Sequence, residues 1–223
     1  MAAIMRTAGI ETMSHPERSL DRDAALALAL DFIPEHGWSI AALRAAEPGL
    51  ADLDLLFPGG SSDLLEAFFD LADRQMEEDA AAADFAGLGL TKRVRAVIAL
   101  RLARQRPHRE AVRRALGVLA LPRFAPLAAR ITARTVDSIW HAAGDQSSDF
   151  SWYTKRAILA AVYSATALYW LRDFSQDDAD SLAFLDRRLA GVGKIGKARG
   201  RLASFAAKFR RRGVDETDPL TAS

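Results

Sequence analysis

The stretch Asp149-Phe-Ser-Trp-Tyr-Thr-Lys-Arg-Ala-Ile-Leu-Ala-Ala-Val-Tyr-Ser-Ala-Thr-Ala-Leu-Tyr-Trp-Leu171 decides the fold class of this 223-residue chain. Within it Ile158, Ala161, Val162, Ala165, Leu168 and Tyr169 recur at helical spacing. Leu159, Tyr163, Ala167 and Trp170 fall on the other side, so the helix is apolar around most of its circumference. A helix of that kind is normally buried on several sides. Its small residues, Ala160, Ala161, Ser164 and Ala165, let a neighbouring helix come close. The stretch therefore reads as the central helix of an all-α domain and as a candidate dimer contact. Asp149 stands where a helix cap is needed. Upstream, Gly144 to Ser148 is turn chemistry, and His141 closes the preceding helix, better placed as a C-terminal cap than as a base.

Working outward, a first helix is expected over 21–35, rich in Ala and Leu and ended by His36-Gly37. Ser39 can cap a short second helix to Ala46, and Leu50 to Phe57 forms a third. After Pro58-Gly59-Gly60, Ser61 or Ser62 caps a long helix to about Ala83, with Asp63 at its positive end. A basic helix follows over 91–105, with an apolar stripe at Val94, Val97, Ile98 and Leu102. Pro107 suits the first turn of the next helix, which closes before Leu121-Pro122, and 123–142 is helical. Ser175-x-x-Asp178 is a capping signature for a helix ending near Ala190. No segment has the two-residue period of a strand. The expected organisation is a disordered leader (1–19), a helix-turn-helix-like unit (20–60), a helical domain (61–190), an amphipathic helix (191–212) and a disordered tail (213–223).

Composition narrows the function. Formal net charge is +1, so no global basic character favours nucleic acid. The chain has no cysteine, which removes disulfide, thiolate and cysteine-metal chemistry. No apolar run reaches the length of about 18 residues that a membrane span needs. The first 20 residues contain Glu11 and Glu17 and no apolar core, unlike a secretory signal or transit peptide. A cytoplasmic protein is expected.

Three short helices followed by a long one resemble a TetR-type helix-turn-helix and its ligand domain. The recognition segment, however, is Leu50-Ala-Asp-Leu-Asp-Leu-Leu-Phe57, and no basic residue lies between Arg44 and Arg74. Carboxylates held against a polyanion repel it, whereas DNA readers neutralise phosphates with Lys and Arg. No nucleic-acid partner is expected. The four histidines form no His-Glu-x-x-His or Glu-x-x-His arrangement, and no nucleophile elbow or Walker loop is present. Gly191-x-Gly193-x-x-Gly196 follows a helix and lacks the strand context of a dinucleotide fingerprint, so it reads as a hinge. No catalytic residue, metal or cofactor is assigned.

Beyond that hinge, Ile195, Ala198, Leu202, Phe205 and Phe209 make one apolar stripe, flanked by Lys194, Lys197, Arg201 and Lys208 among other basic residues. That is the composition of an interfacial membrane helix. Each basic group near an anionic leaflet contributes about 1 kcal/mol. The competing reading is a C-terminal helix packed on its own domain or on a second copy.

The run from Trp140 through Trp152-Tyr153 to Thr166 resembles the signature of the Coq-nine family of ubiquinone-biosynthesis accessory proteins. Phe57-Pro-Gly-Gly-Ser-Ser-Asp-Leu64, His108-Arg-Glu-Ala-Val-Arg-Arg-Ala115 and Phe184-Leu-Asp-Arg-Arg188 are similar to further blocks of it. The similarity spans roughly residues 20–195. It implies a non-enzymatic, TetR-like homodimer without DNA binding. It implies a lipid ligand (an isoprenoid quinone or a phospholipid), docking on the membrane surface through the C-terminal helix, and presentation of lipid to a di-iron demethoxyubiquinone hydroxylase. The family's partner-binding pattern Asp-x-x-Trp-Tyr-x-x-Arg falls on Asp149, Trp152, Tyr153 and Arg156. Trp152 and Arg156 are one turn apart, and Trp, Tyr and Arg are favoured at protein-contact hot spots. The bland alternative makes Trp152 core and Asp149 a cap. Phe68, Phe69, Val97 and Tyr163 are expected to contribute to the lipid pocket. A bacterial member would be peripheral on the inner face of the cytoplasmic membrane; eukaryotic relatives would be mitochondrial. A TetR-type regulator binding a small apolar ligand is the alternative function.

Overall fold

The computed structural model describes residues 15–48, 53–145 and 152–191. Among them the chain is helical, with no strand. The N-terminal unit comprises α1 (Leu20–Ala29), α2 (Ile33–His36), α3 (Ile40–Ala46) and α4 (Leu53–Leu56). The larger unit comprises α5 (Ser61–Ala82), α6 (Leu90–Gln105), α7 (Arg109–Leu119), α8 (Ala125–Ala142), α9 (Trp152–Trp170) and a helix over 179–191, α10. This is the all-α architecture that the apolar periodicity predicts.

The single helix expected over 21–35 is two. Pro34 has no N–H to continue the hydrogen-bond ladder, so α1 stops at Ala29 and a new turn starts with Pro34 in its first positions. Two predicted caps are also replaced. Ser39 occupies the N-cap of α3, but its hydroxyl donates back to the His36 carbonyl at 2.9 Å. Neither Ser61 nor Ser62 caps α5. Gly60, at φ +58°, precedes the helix, and the Asp63 carboxylate reaches back to accept the Gly59 N–H at 2.7 Å. A Cβ on Gly59 would lie 2.2 Å from that carboxylate, so the cap requires glycine there.

The core is organised around α5, not around the 152–170 helix as the sequence suggests. Leu64, Leu65, Phe68, Phe69, Met76 and Ala80 bury one side of α5 against α8 and α6. Trp38 ties the two units together. Its indole N–H donates to the Ala111 carbonyl of α7 at 2.9 Å, and its ring meets Phe68 at 4.7 Å. Residues 15–19, assigned to the leader by the sequence, run against α5, where Arg18 donates twice to Asp70 at 2.7 and 2.9 Å.

α9 is buried on one side only. Leu159, Val162, Thr166 and Trp170 face α8 and α6, whereas Ala157, Ala161, Leu168 and Tyr169 are exposed. The burial on several sides expected of this helix is therefore not what the structure shows. Periodicity reports which faces are apolar, but nothing about which faces are covered.

The crossover from α9 to α10 is built from charge. Arg109 stacks over Trp170 at 4.6 Å and donates to the Asp173 carbonyl and the Asp178 carboxylate. Arg106 donates to Asp178 at 2.9 Å, and Arg113 donates to the Leu171 carbonyl. Asp177 and Asp178 both take left-handed backbone, at φ 54° and 57°. Half of the capping signature Ser175-x-x-Asp178 is realised: the Ser175 hydroxyl accepts the Asp180 N–H at 3.0 Å, while Asp178 is taken up by the two arginines and does not serve the Ser175 N–H. Asp173 serves that N–H instead, at 2.8 Å, and also accepts the Ser175 and Ser181 hydroxyls and the Ser181 N–H. Burial alone would raise the Asp173 carboxyl; these donors overcome it and hold the group down to about 2.

Candidate functional site

Where α8 and α9 converge, two features lie side by side. The first is the segment carrying the predicted partner residues. Tyr153 is 78 % exposed on the first turn of α9. Arg156, one turn nearer the core, is half-buried and ion-paired with Asp137 of α8. Trp152 is the first residue of α9, and Asp149 lies outside the described residues. The structure thus places Tyr153 and Arg156 on neighbouring turns, with Arg156 anchored to α8.

The second feature is an apolar cavity of about 170 Å³ walled in part by α8 and α9. Leu90, Thr91 and Val94 of α6, Trp140 of α8, Ile158, Leu159 and Val162 of α9, and Leu189 of α10 form its wall. Lys155 supplies the one cation of that wall. The cavity exists because four helices with branched or aromatic side chains meet at the end of the bundle and do not close completely. Volumes of this size hold a ring or a few chain carbons, below the roughly 300–1,000 Å³ of a complete drug-sized site.

The residues expected to line a lipid pocket sit elsewhere. Phe68 and Phe69 meet edge to face at 5.2 Å in the core, and Val97 is fully buried there. Tyr163 belongs to a buried polar string across four helices. Its hydroxyl accepts from Arg101 Nε at 2.8 Å, Arg101 pairs with Asp73 at 2.5 Å, and Thr135 donates to Asp73 at 3.0 Å. Burial pushes the Asp73 carboxyl up to about 6, against the pull of Arg101 and Thr135. None of these four expected pocket residues borders the cavity walled by Trp140 and Leu189. Sequence reasoning missed Trp140 and Leu189 as cavity walls. Both stand near helix ends, where a pattern of apolar spacing carries no depth information.

The predicted membrane residues Lys194, Ile195, Lys197, Arg201, Leu202, Phe205, Lys208 and Phe209 lie outside the described residues. No single helix among the described residues is long and apolar enough to cross a membrane. In the N-terminal unit Arg44 is ion-paired with Asp54 at 2.7 Å, so the cation nearest the would-be recognition helix is already neutralised.

The COQ9 family profile matches residues 125–196, the part of the chain that holds α8, α9 and α10. The mitochondrial ubiquinone biosynthesis protein COQ9 of Xenopus tropicalis is 34% identical over 210 residues, covering 88% of this chain and 65% of the frog protein. The COQ9-B protein of Xenopus laevis is 33% identical, covering 88% of this chain and 71% of its own length. The chain belongs to the COQ9 family. It spans about two thirds of the length of these frog relatives, and 57% of the human COQ9 protein, to which it is 34% identical over 181 residues. A crystal structure of a TetR transcriptional regulator from Nitrosomonas europaea superposes with a TM-score of 0.63 at 24% identity, covering 77% of this chain and 97% of that one. The COQ9-family chain therefore carries a TetR-like fold.

Proposed function

We propose that this COQ9-family chain serves ubiquinone biosynthesis as a non-catalytic carrier. It binds isoprenoid quinone intermediates at a membrane surface and presents them to the di-iron demethoxyubiquinone hydroxylase. The observation that supports this reading best is the apolar cavity walled by Trp140, Ile158, Leu159, Val162 and Leu189, on the same helix that carries Tyr153 and Arg156. A hydrophobic passenger would sit against one face of α9, at residues 155–162, and a docking enzyme would engage the same helix at Tyr153 and Arg156. The buried carboxylates Asp73, Asp173 and Asp178 are all engaged in hydrogen bonds that hold helices together, which suits a scaffold better than an acid–base catalyst.

The carrier acts as a homodimer, with the exposed stripe Ala157, Ala161 and Leu168 of α9 as the contact between copies, and the basic amphipathic segment 192–212 holds it on the inner leaflet of a bacterial membrane. Lipid extraction from the purified chain followed by mass spectrometry tests the carrier role. An isoprenoid quinone precursor should co-purify in near-stoichiometric amount, and its repeated absence would rule the role out. Co-purification of the hydroxylase with the wild type, and its loss with Y153A/R156A, tests the presenting role.

A further inference from the structure

The outward side of α6 carries a trough, separate from the cavity walled by Trp140 and Leu189. Two depressions of about 340 and 430 Å³ share Ala83, Leu100 and Ala103 and run into one another. The floor is the α6 stripe Ala96, Ala99, Leu100 and Ala103, and Phe85 of the α5–α6 connection and Leu182 of α10 complete the apolar lining. Three of these floor residues are alanines, so the axis of another helix can come close to α6.

The charges around the trough admit a basic occupant. Its three arginines are already paired: Arg95 with Asp186 at 3.1 Å, Arg104 with Asp79 at 2.7 Å, and Arg106 with Asp177 and Asp178 at 2.9 Å. Glu78, one turn before Ala82, and Asp84, between Ala83 and Phe85, are exposed and form no ion pair among the described residues. Lys92, near the Leu90 end of α6, is the opposing unpaired cation.

The chain itself is left at the mouth of this trough. α10 runs antiparallel to α6: Leu182 lies by Leu102 and Arg106, Asp186 pairs with Arg95, and Leu189 meets Leu90 and Val94. It therefore ends at Gly191 beside the first turn of α6, and residues 192–223, which lie outside the described residues, continue from there. A link of two to five residues suffices to join antiparallel helices, and Gly191 and Gly193 give it backbone freedom. A helix from Ile195 to Phe209 is about 21 Å long, and the 16 residues of α6 span about 24 Å. Turned back along α6, its stripe of Ile195, Ala198, Leu202, Phe205 and Phe209 lays large side chains on a floor of small ones. Its densest basic run, Lys208 with Arg210, Arg211 and Arg212, then reaches the end where Glu78 and Asp79 stand. A segment tethered this closely meets its own trough at an effective concentration on the order of millimolar, which favours it over the same segment of another molecule.

We propose that the α6 trough seats the chain's own segment 192–212, so that trough and membrane compete for one apolar stripe. The inference rests on the reading of that segment as a membrane anchor and adds an off-membrane seat that keeps the anchor closed.

The test compares amide exchange of residues 195–209 in the full-length chain without lipid against binding to phosphatidylglycerol–phosphatidylcholine vesicles. A99Q/A103Q roughens the floor without adding charge. Wild-type exchange should be slowed about tenfold relative to A99Q/A103Q, and A99Q/A103Q should bind the vesicles more tightly by the same factor, about tenfold, because a seated segment is withheld from the membrane. Deleting residues 192–223 from A99Q/A103Q should remove the gain. If A99Q/A103Q loses helicity, E78K takes its place, with about a threefold loss of protection expected and an unchanged value overturning the seat. Equal exchange in wild type and A99Q/A103Q, or lost protection with unchanged vesicle binding, overturns the proposal. Protection that vanishes on dilution together with a dimer puts the segment on a second copy and overturns it too. A segment protected by the trough in a chain whose variants never bind vesicles leaves the seat standing and removes the membrane role. Vesicle binding that depends on 192–223 but is indifferent to A99Q/A103Q removes only the seat.

Discussion

The N-terminal unit and the α9–α10 face handle charge in opposite ways. Around α1 and the start of α5, Arg18, Arg74 and Arg44 each meet a carboxylate, and the exposed apolar side chains are scattered. On the α9–α10 face, Arg172, Arg187 and Arg188 meet none and stand beside exposed aromatic rings. The first region pairs these arginines within one chain; the second leaves its three without a carboxylate partner among the described residues.

That contrast can be broken by substitution. The largest stability effect is expected for D73A, which leaves Arg101 as a buried unpaired charge. A loss of about 3–5 kcal/mol should appear in urea unfolding, and R101M/D73L should restore much of it. D173N should lose about 1–2 kcal/mol at neutral pH, because it removes a carboxylate held by two serines. The pH dependence sharpens this. The folded pKa of Asp173 is depressed to about 2, so its contribution is present above the unfolded value near 4 and is lost as pH falls toward 2. Urea midpoints measured between pH 5 and pH 2 should therefore converge for wild type and D173N.

W38F should cost about 1 kcal/mol or slightly more through the lost hydrogen bond to Ala111. That cost should weaken the coupling of the N-terminal unit to α7, seen as faster amide exchange in α2 and α3. The smallest effect belongs to R172E/R188E, which should change stability by no more than about 0.5 kcal/mol, since no ion pair is lost and only the exposed stacking of Arg188 on Phe184 goes. A large destabilisation there would erase the contrast between the two regions.

Much of this architecture can be read from the residues. Helical spacing locates α5, α6, α8 and α9 within a few residues, and Gly and Pro mark most of the joints. The split at Pro34 was readable in principle, since a proline inside a helical run forbids a backbone bond there. The hub was not. α9 is the more apolar of the two by composition, and only the contacts show that α5 is enclosed while α9 faces outward on one side. Asp73 and Arg101 look like ordinary charges on amphipathic helices, because their pairing depends on the crossing of α5 and α6, which no local pattern encodes. For the candidate site, Tyr153 and Arg156 came from the family signature alone, and the cavity along the other face of α9 follows from imperfect closure of four helices.

The paired left-handed aspartates at the α9–α10 crossover bear on how stiffly the two helices are joined. Non-glycine residues in that conformation cost about 1–3 kcal/mol each, and here they persist because Arg106 and Arg109 grip Asp178 from the α7 side. Changing the angle between α9 and α10 would require releasing that grip. The helix after the crossover is thus clamped to the body of the bundle at its first turn and behaves as a fixed post, not as a swinging arm.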